Sequence, residues 1–183
     1  LKGVILDMRN NRGGTSSEYR LALGALLPAG GHQVAMSRSK VGIGRYDYSP
    51  VTSEIFPTLD DSNVTVTAPI AVLANCHSVS MAEITCLGAK KVEGARVIGT
   101  TTWGGLCLLS PDPKTYSLSY ASSVGVMDET PFYAYIPSTV TITQEGILEG
   151  QGVEPDIEQP LNLQLLGTHG RDSQLERALQ LIQ

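Results

Sequence analysis

The sequence predicts an α/β domain built on a central, largely parallel sheet. Three observations lead there. Two short runs lack polar side chains, Val4-Ile5-Leu6 and residues 70–74, and read as strands buried on both faces. Each run ends in a polar turn, and each turn opens a segment with helical apolar spacing, at residues 18–27 and 80–91. Strands alternating with helices are the pattern of a parallel sheet covered on both sides.

The elements follow in order. The first strand ends at Asp7-Met8-Arg9-Asn10-Asn11-Arg12-Gly13-Gly14, where paired glycines permit a tight turn. Residues 18–27 form a helix stopped by Pro28-Ala29-Gly30-Gly31, and residues 33–37 a short strand. Residues 40–63 are polar and turn-rich with aromatic interruptions, the composition of a long surface excursion. The run 70–74 is the second buried strand, 75–79 a polar elbow, 80–91 a helix, and Arg96-Val97-Ile98-Gly99 a third strand. From 106 to 142, short runs rich in Val, Thr and Tyr are broken by Pro111, Pro113, Pro131 and Pro137, so additional short strands or hairpins are expected. Residues 172–183 carry Leu175, Ala178, Leu179 and Ile182 on one face and close the chain as an amphipathic helix. No repeat or linker divides residues 1–183, which read as a single domain.

Composition excludes several classes. Of 183 residues, 42% are hydrophobic and 17% charged, as in an ordinary globular domain. Thirteen Lys and Arg against 18 Asp and Glu leave a net charge of -5 without a basic stripe, which disfavours nucleic acid and anionic membrane surfaces as partners. The longest apolar runs, 21–27 and 70–74, fall far short of the roughly 20 residues a membrane span requires. Cys76, Cys86 and Cys107 have neither CxxC nor interleaved His spacing, so buried thiols are expected rather than a disulfide framework or a metal site. The chain enters its first strand almost at Leu1, which suggests a piece of a longer protein lacking its N-terminal region.

The segment Ala74-Asn75-Cys76-His77-Ser78-Val79-Ser80-Met81-Ala82-Glu83 places two serines between a buried strand and a helix start. A serine there sits at the positive end of a helix, where backbone N–H groups can hold an oxyanion, so acyl-transfer chemistry is physically reasonable. Ser80-Met81-Ala82-Glu83 also matches the S-x-x-E capping box, in which Ser80 and Glu83 only satisfy orphan amides. The turn Arg9-Asn10-Asn11-Arg12-Gly13-Gly14 is the second element: its glycines allow close backbone approach to a ligand, and it lacks the spacing of a phosphate loop. Two strand-to-helix turns from adjacent parallel strands can converge on one crevice at the carboxyl ends of the sheet.

These residues resemble the S41 peptidases, the group of C-terminal processing (tail-specific) proteases and tricorn core proteases. Lys2 through Gly14 resembles their signature strand and turn, Asn75 through Glu83 their nucleophile turn, Val97-Ile98-Gly99-Thr100-Thr101-Thr102-Trp103-Gly104-Gly105 the segment after it, and Gly152-Val153-Glu154-Pro155-Asp156 their Gly-Val-x-Pro-Asp ending. Residues 172–182 resemble their terminal helix. The resemblance implies a crotonase-like (ClpP/crotonase) twisted sheet with flanking helices and extra short strands in the second half. It also implies Ser80 as nucleophile, with Ser78 second, and an oxyanion hole from the N–H groups of Met81 and of Gly13 or Gly14. No metal or organic cofactor is implied. The partners implied are an extended polypeptide substrate, bound as an added strand, and an N-terminal helical or PDZ-like region of the same protein. Export to the periplasm or cell envelope is implied by the resemblance alone.

The base is where the sequence departs. A serine hydroxyl is a weak nucleophile without one. The processing proteases use a lysine at the position that reads Gly105 here, and Lys90 and Lys91 lie three helical turns beyond Ser80. The tricorn-like branch uses a histidine from before the signature strand and a glutamate near the chain's Gly-Val-x-Pro-Asp ending, for which Glu149 is the candidate. Of the histidines present, His77 in the elbow is the nearest in sequence, whereas His32 and His169 lie in Gly-rich turns. Adjacent Cys76 and His77 would point to opposite sides of an extended chain and do not form a nucleophile–base pair. Three readings therefore compete: a serine endopeptidase core, a peptide-binding pseudoprotease that has lost the base, and a crotonase-like enzyme acting on acyl thioesters.

Overall fold

The computed structural model describes residues 1–15, 17, 19, 24, 32–56, 66–107, 114–118, 121–122, 125–126, 130–134 and 137–183. Its centre is strand β4 (Ile70–Ala74), whose five residues are all buried. Ile70, Val72 and Ala74 join one apolar cluster, while Ala71 and Leu73 face a second cluster with Ile98 and Ala178. Burial on both faces is why this run has no polar alternation. Strand β1 (Val4–Asp7) flanks β4 on one side and β5 (Ala95–Gly99) on the other, and β11 (Ile157–Glu158) pairs with β5. The resulting order is β1-β4-β5-β11, with every pairing parallel.

Helix α1 (Met81–Ala89) connects β4 to β5 and is buried along all nine residues. It packs on β4 and β5 and, opposite them, on β2 (His32–Ser39). That strand is the middle of an antiparallel sheet with β3 (Thr52–Phe56) and β10 (Thr139–Ile142). Being covered on both sides requires a helix that is apolar all round, and MAEITCLGA carries one charged residue, Glu83. The other face of the parallel sheet is covered by α3 (Ser173–Leu181), preceded by the short α2 (Leu163–His169). Two antiparallel pairs complete the described strands: β6 (Lys114–Leu118) with β9 (Thr130–Ala134), and β7 (Ala121–Ser122) with β8 (Gly125–Val126).

The strands expected at 4–6, 70–74 and 96–99 and the helix expected at 80–91 stand where the sequence places them. Most of the helix expected at 18–27 lies outside the described residues; Ser17, Tyr19 and Gly24 are helical. The segment 40–63 is not solely a surface excursion. Its Thr52–Phe56 pairs along β2 through an irregularity at Gln33/Ala35, because β2 runs to eight residues and offers a long edge. Helix α2 was not foreseen, although the Asn162 side chain accepts from Leu165 N at 2.9 Å and Gly170 closes the helix at φ 64°.

The buried face of α3 is also rotated from expectation. Ala178 is fully buried and Ile182 partly so, but Leu175 and Leu179 remain 38% and 43% exposed. Gln174 takes the inner place because its amide donates to Gln159 O at 2.7 Å while its Oε1 accepts from Arg9 at 3.1 Å. Of the thiols, Cys86 is buried as expected, Cys107 partly, and Cys76 is exposed.

Arg9 ties the end of β1 to the start of α3, bonding Asp7 and Asp172 at 2.6 Å each. Asp172 in turn caps α3 by accepting from Gln174 N and Leu175 N, both at 3.0 Å. The Arg9 guanidinium holds the Asp7 carboxyl below its ordinary value. For Asp172, partial burial pushes upward, but the Leu175 N–H and Arg9 outweigh it and the net displacement is downward. Carboxyls lowered by folding contribute stability above their unfolded value of about 4 and lose it as pH falls through the folded values. The urea midpoint of the protein should therefore drop below about pH 4, and Arg9→Met should make that drop shallower while lowering stability at neutral pH.

Candidate active site

The parallel register carries the ends of β1 and β4 to the same edge of the sheet, since Asp7 stands opposite Leu73. The two turns that follow are joined there by polar contacts. Asn75 Oδ1 accepts from Asn10 N at 3.1 Å and His77 N at 3.0 Å, while its amide donates to Asn10 Oδ1 at 3.2 Å. Val79 N donates to Asn11 O at 2.9 Å. Ser78 is fully buried; its hydroxyl donates to Met8 O at 2.8 Å and accepts from Asn75 N at 3.0 Å. With both hydroxyl functions engaged between the turns, Ser78 serves as a tie.

Ser80 stands at the N-terminus of α1 with φ 59° and ψ -120°. A helix N-cap ordinarily has extended backbone, and a non-glycine residue at positive φ is strained by about 1–3 kcal/mol. Such backbone geometry is that of a serine on a sharp strand-to-helix elbow. Gly13, at φ 82°, lies directly against it: a methyl group there would fall 2.7 Å from Ser80 Cβ and 2.9 Å from the Met81 amide nitrogen. Only glycine permits both this conformation and this approach.

Glu83 holds the elbow from beneath. The carboxylate is fully buried, and four donors converge on it. Ser80 N (2.9 Å) and Gly105 N (2.9 Å) donate to Oε2, while Thr102 Oγ1 (2.6 Å) and Gly104 N (2.7 Å) donate to Oε1. Its place in the first turn of α1 adds the favourable field of the helix N-terminus. The S-x-x-E pattern thus does supply an acceptor for an orphan amide, and the same carboxylate also fixes residues 102–105 against the serine. Trp103 N reinforces that position by donating to Ser78 O at 3.0 Å.

The Gly13 N–H donates to Asn11 Oδ1 at 2.9 Å, whereas the N–H groups of Gly14 and Met81 have no acceptor among the described residues. Of the glycine pair, Gly14 therefore has the free amide, and Gly13 supplies the close approach. Glu149 does not hang free in a loop: its Oε2 accepts from Leu106 N at 2.7 Å and Cys107 N at 2.9 Å. Burial, then the Glu149 carboxylate, push the Cys107 thiol up to about 11. Burial above all pushes Cys86 up to about 12. Both are thiols rather than thiolates at neutral pH. Gly105 presents no side chain; a β-carbon there would sit 3.0 Å from Val79 and 3.8 Å from Glu83 Oε2. His77 lines an open cleft with Arg12, Val79 and Trp103. Lys90 pairs with Asp156 and Lys91 bonds Gln144, both away from the elbow. Among the described residues no group of three His, Cys, Asp or Glu side chains gathers as a metal site.

The sequence model of Peptidase family S41 matches residues 1–159 of this architecture. The chain belongs to peptidase family S41. Among curated proteins none matches it in sequence. Solved S41-related structures share the fold, a mixed α/β arrangement with a parallel sheet and flanking helices. A candidate peptidase from Parabacteroides merdae superposes with a TM-score of 0.74 at 22% identity, over 99% of this chain and 52% of that one. Mature CPAF complexed with lactacystin gives 0.71 at 15% identity, over 99% and 43%. The tricorn protease gives 0.62 at 23% identity, over the whole of this chain and 15% of that one. The chain thus spans about half, or less, of the length of these S41-related structures.

Among site residues, sequence reasoning passed over the second role of Glu83 and the whole contribution of Asn75 and Thr102. Glu83 was visible as a capping partner, but nothing local announces that Thr102 and Gly104 will meet it.

Two outcomes follow for stability. If Ser80 were an unstrained cap, Ser80→Gly would cost a few tenths of a kcal/mol. Relief of the strained φ predicts instead that this variant is as stable as the parent or up to about 1 kcal/mol more stable in urea unfolding. Glu83→Gln leaves two of the four donors facing an amide NH2, and should lower stability by about 2 kcal/mol or more, read as a reduced urea midpoint.

Proposed function

We propose that this chain is the catalytic core of a serine endopeptidase that cleaves extended or unfolded polypeptide through an acyl-enzyme on Ser80. The observation that carries the reading is the strained backbone of Ser80 at the head of α1, with Gly13 packed against it. Family membership supports peptidase chemistry, and this elbow is where the chain has a serine built for it.

In this mechanism the Ser80 hydroxyl loses its proton to a base as Oγ bonds to the scissile carbonyl carbon. The carbonyl oxygen takes the negative charge between the N–H groups of Met81 and Gly14, preorganised donors of the kind that lower such barriers most. Collapse breaks the C–N bond, the proton passes to the departing amine, and water then releases the acyl group by the same route. Gly13 keeps its own N–H on Asn11 and so holds the turn in shape. The base comes from a segment of the full-length protein before Leu1, as in the tricorn-like arrangement, and Glu149 orients it through Oε1, the oxygen not engaged with Leu106 and Cys107. The fold is assigned the crotonase-like form, with the elbow at the carboxyl ends of β1 and β4.

One observation favours a second reading, a peptide-binding pseudoprotease: Gly105 faces Val79 and Glu83 with no side chain where the processing branch carries lysine. Fluorophosphonate labelling with mass-spectrometric site mapping separates the two. The full-length protein should be labelled at Ser80 and its Ser80→Ala variant should not. A folded full-length protein that stays unlabelled would leave the pseudoprotease reading in possession. Labelling of residues 1–183 alone would place the base within them and make His77 the first residue to replace.

A further inference from the structure

We propose that the cleft beside the elbow is a subsite for a carboxylate of the peptide substrate, with Arg12 as its counter-charge. This inference rests on the peptidase reading of Ser80 and adds the substrate chemistry that the reading leaves open. The cleft has a volume of about 540 Å³, within the size range of ligand sites, and its lining includes, among the described residues, Arg12, His77, Val79 and Trp103. Its position follows from the chain. Val79 directly precedes Ser80, and Arg12 directly precedes the Gly13 that packs on Ser80. A peptide whose carbonyl reached the elbow would lay a neighbouring group in this cleft.

The chemistry of the walls is divided. Val79 and the Trp103 indole, which is 62% exposed although its backbone is anchored on Ser78, offer apolar surface for a methylene stem. Arg12 and His77 offer N–H groups at its end. Most other arginines are already engaged: Arg9 with Asp7 and Asp172, Arg38 with Ser49 O, Arg96 with Ala95 O, Arg171 with Glu176 and Arg177 with Gln180. Arg12 has no ion pair or hydrogen bond among the described residues, and the His77 ring likewise has no partner there. The two carboxylates described at the site are engaged elsewhere. Glu83 is filled by four donors, and Glu149 faces the amides of Leu106 and Cys107. In a chain of net charge -5 this leaves at the elbow a guanidinium fork with no partner among the described residues, suited to bidentate capture of a carboxylate.

A carboxylate can come from an Asp or Glu side chain or from the end of the peptide, and fluorescence polarisation distinguishes them. The protein used is full length with Ser80→Ala, so that no peptide is consumed. The probes are three labelled eight-residue Ala/Val peptides: one with a central Glu and an amidated end, one with a central Gln and a free end, and one with a central Gln and an amidated end. One of the two carboxylate peptides should bind about three- to tenfold more tightly than the uncharged one, as for a partly exposed charge-assisted pair. That margin should shrink with added salt. It should fall below twofold in Arg12→Gln and survive in part in Arg12→Lys, with unchanged melting temperatures showing that both variants fold. The tighter peptide names the source. Equal binding of all three, no binding of any, or a margin that persists in Arg12→Gln overturns the proposal. Fluorophosphonate labelling of the protein with Ser80 intact reports on the nucleophile separately. Labelling without a carboxylate preference removes the subsite alone, and a preference without labelling removes the hydrolase alone.

Discussion

One buried carboxylate organises this site. Glu83 sits within an otherwise uncharged helix enclosed by two sheets, an environment in which an unpaired carboxylate would be prohibitively costly. Its four donors are the backbone N–H groups of Ser80, Gly104 and Gly105 and one threonine hydroxyl, and Thr102 passes the connection onward by accepting from Val153 N at 2.7 Å. The strained serine, the segment 102–105 and the chain leading to β11 are therefore fixed by one group. Strain at a functional residue persists only where its surroundings over-determine it, and this carboxylate is the main part of that surrounding.

The second constraint is the parallel pairing of β1 with β4. It brings two turns to one edge of the sheet, and Asn75, Asn10, Asn11 and Ser78 then lock them together. The division of labour between adjacent glycines follows from this lock. Because Asn11 takes the Gly13 N–H, Gly13 contributes shape and Gly14 contributes a donor. The same turn carries Arg12 to the cleft, so the backbone that would receive an oxyanion, at Gly14, and the side chain that would receive a carboxylate, at Arg12, are two residues apart. Affinity and chemistry would then share one loop.

Much of this was legible in the sequence because it rests on local pattern. The unbroken apolar run of β4, the glycine pair and the S-x-x-E start of α1 each have a one-to-one structural meaning, and their order carried the family resemblance. What was not legible depends on contacts distant in sequence. Gln174 displaces Leu175 from the buried face of α3 because Arg9 and Gln159 lie across from it, and no periodicity shows that. Strand β3 is assembled by the long edge of β2 out of a segment that alone reads as polar turn. The roles of Asn11 and Thr102 are of the same kind, since single polar residues acquire meaning only from the backbone brought against them.

The central claim is that Ser80 is held as a nucleophile facing two preorganised amides. A crystal structure of the full-length protein after reaction with a fluorophosphonate tests it most directly. The account predicts a phosphonyl group on Ser80 Oγ with its oxygen within hydrogen-bonding distance of the Met81 and Gly14 N–H groups, Ser80 still at positive φ, and the Gly13 N–H still on Asn11. A phosphonyl oxygen directed away from those amides, or a Ser80 backbone relaxed to negative φ, would contradict it.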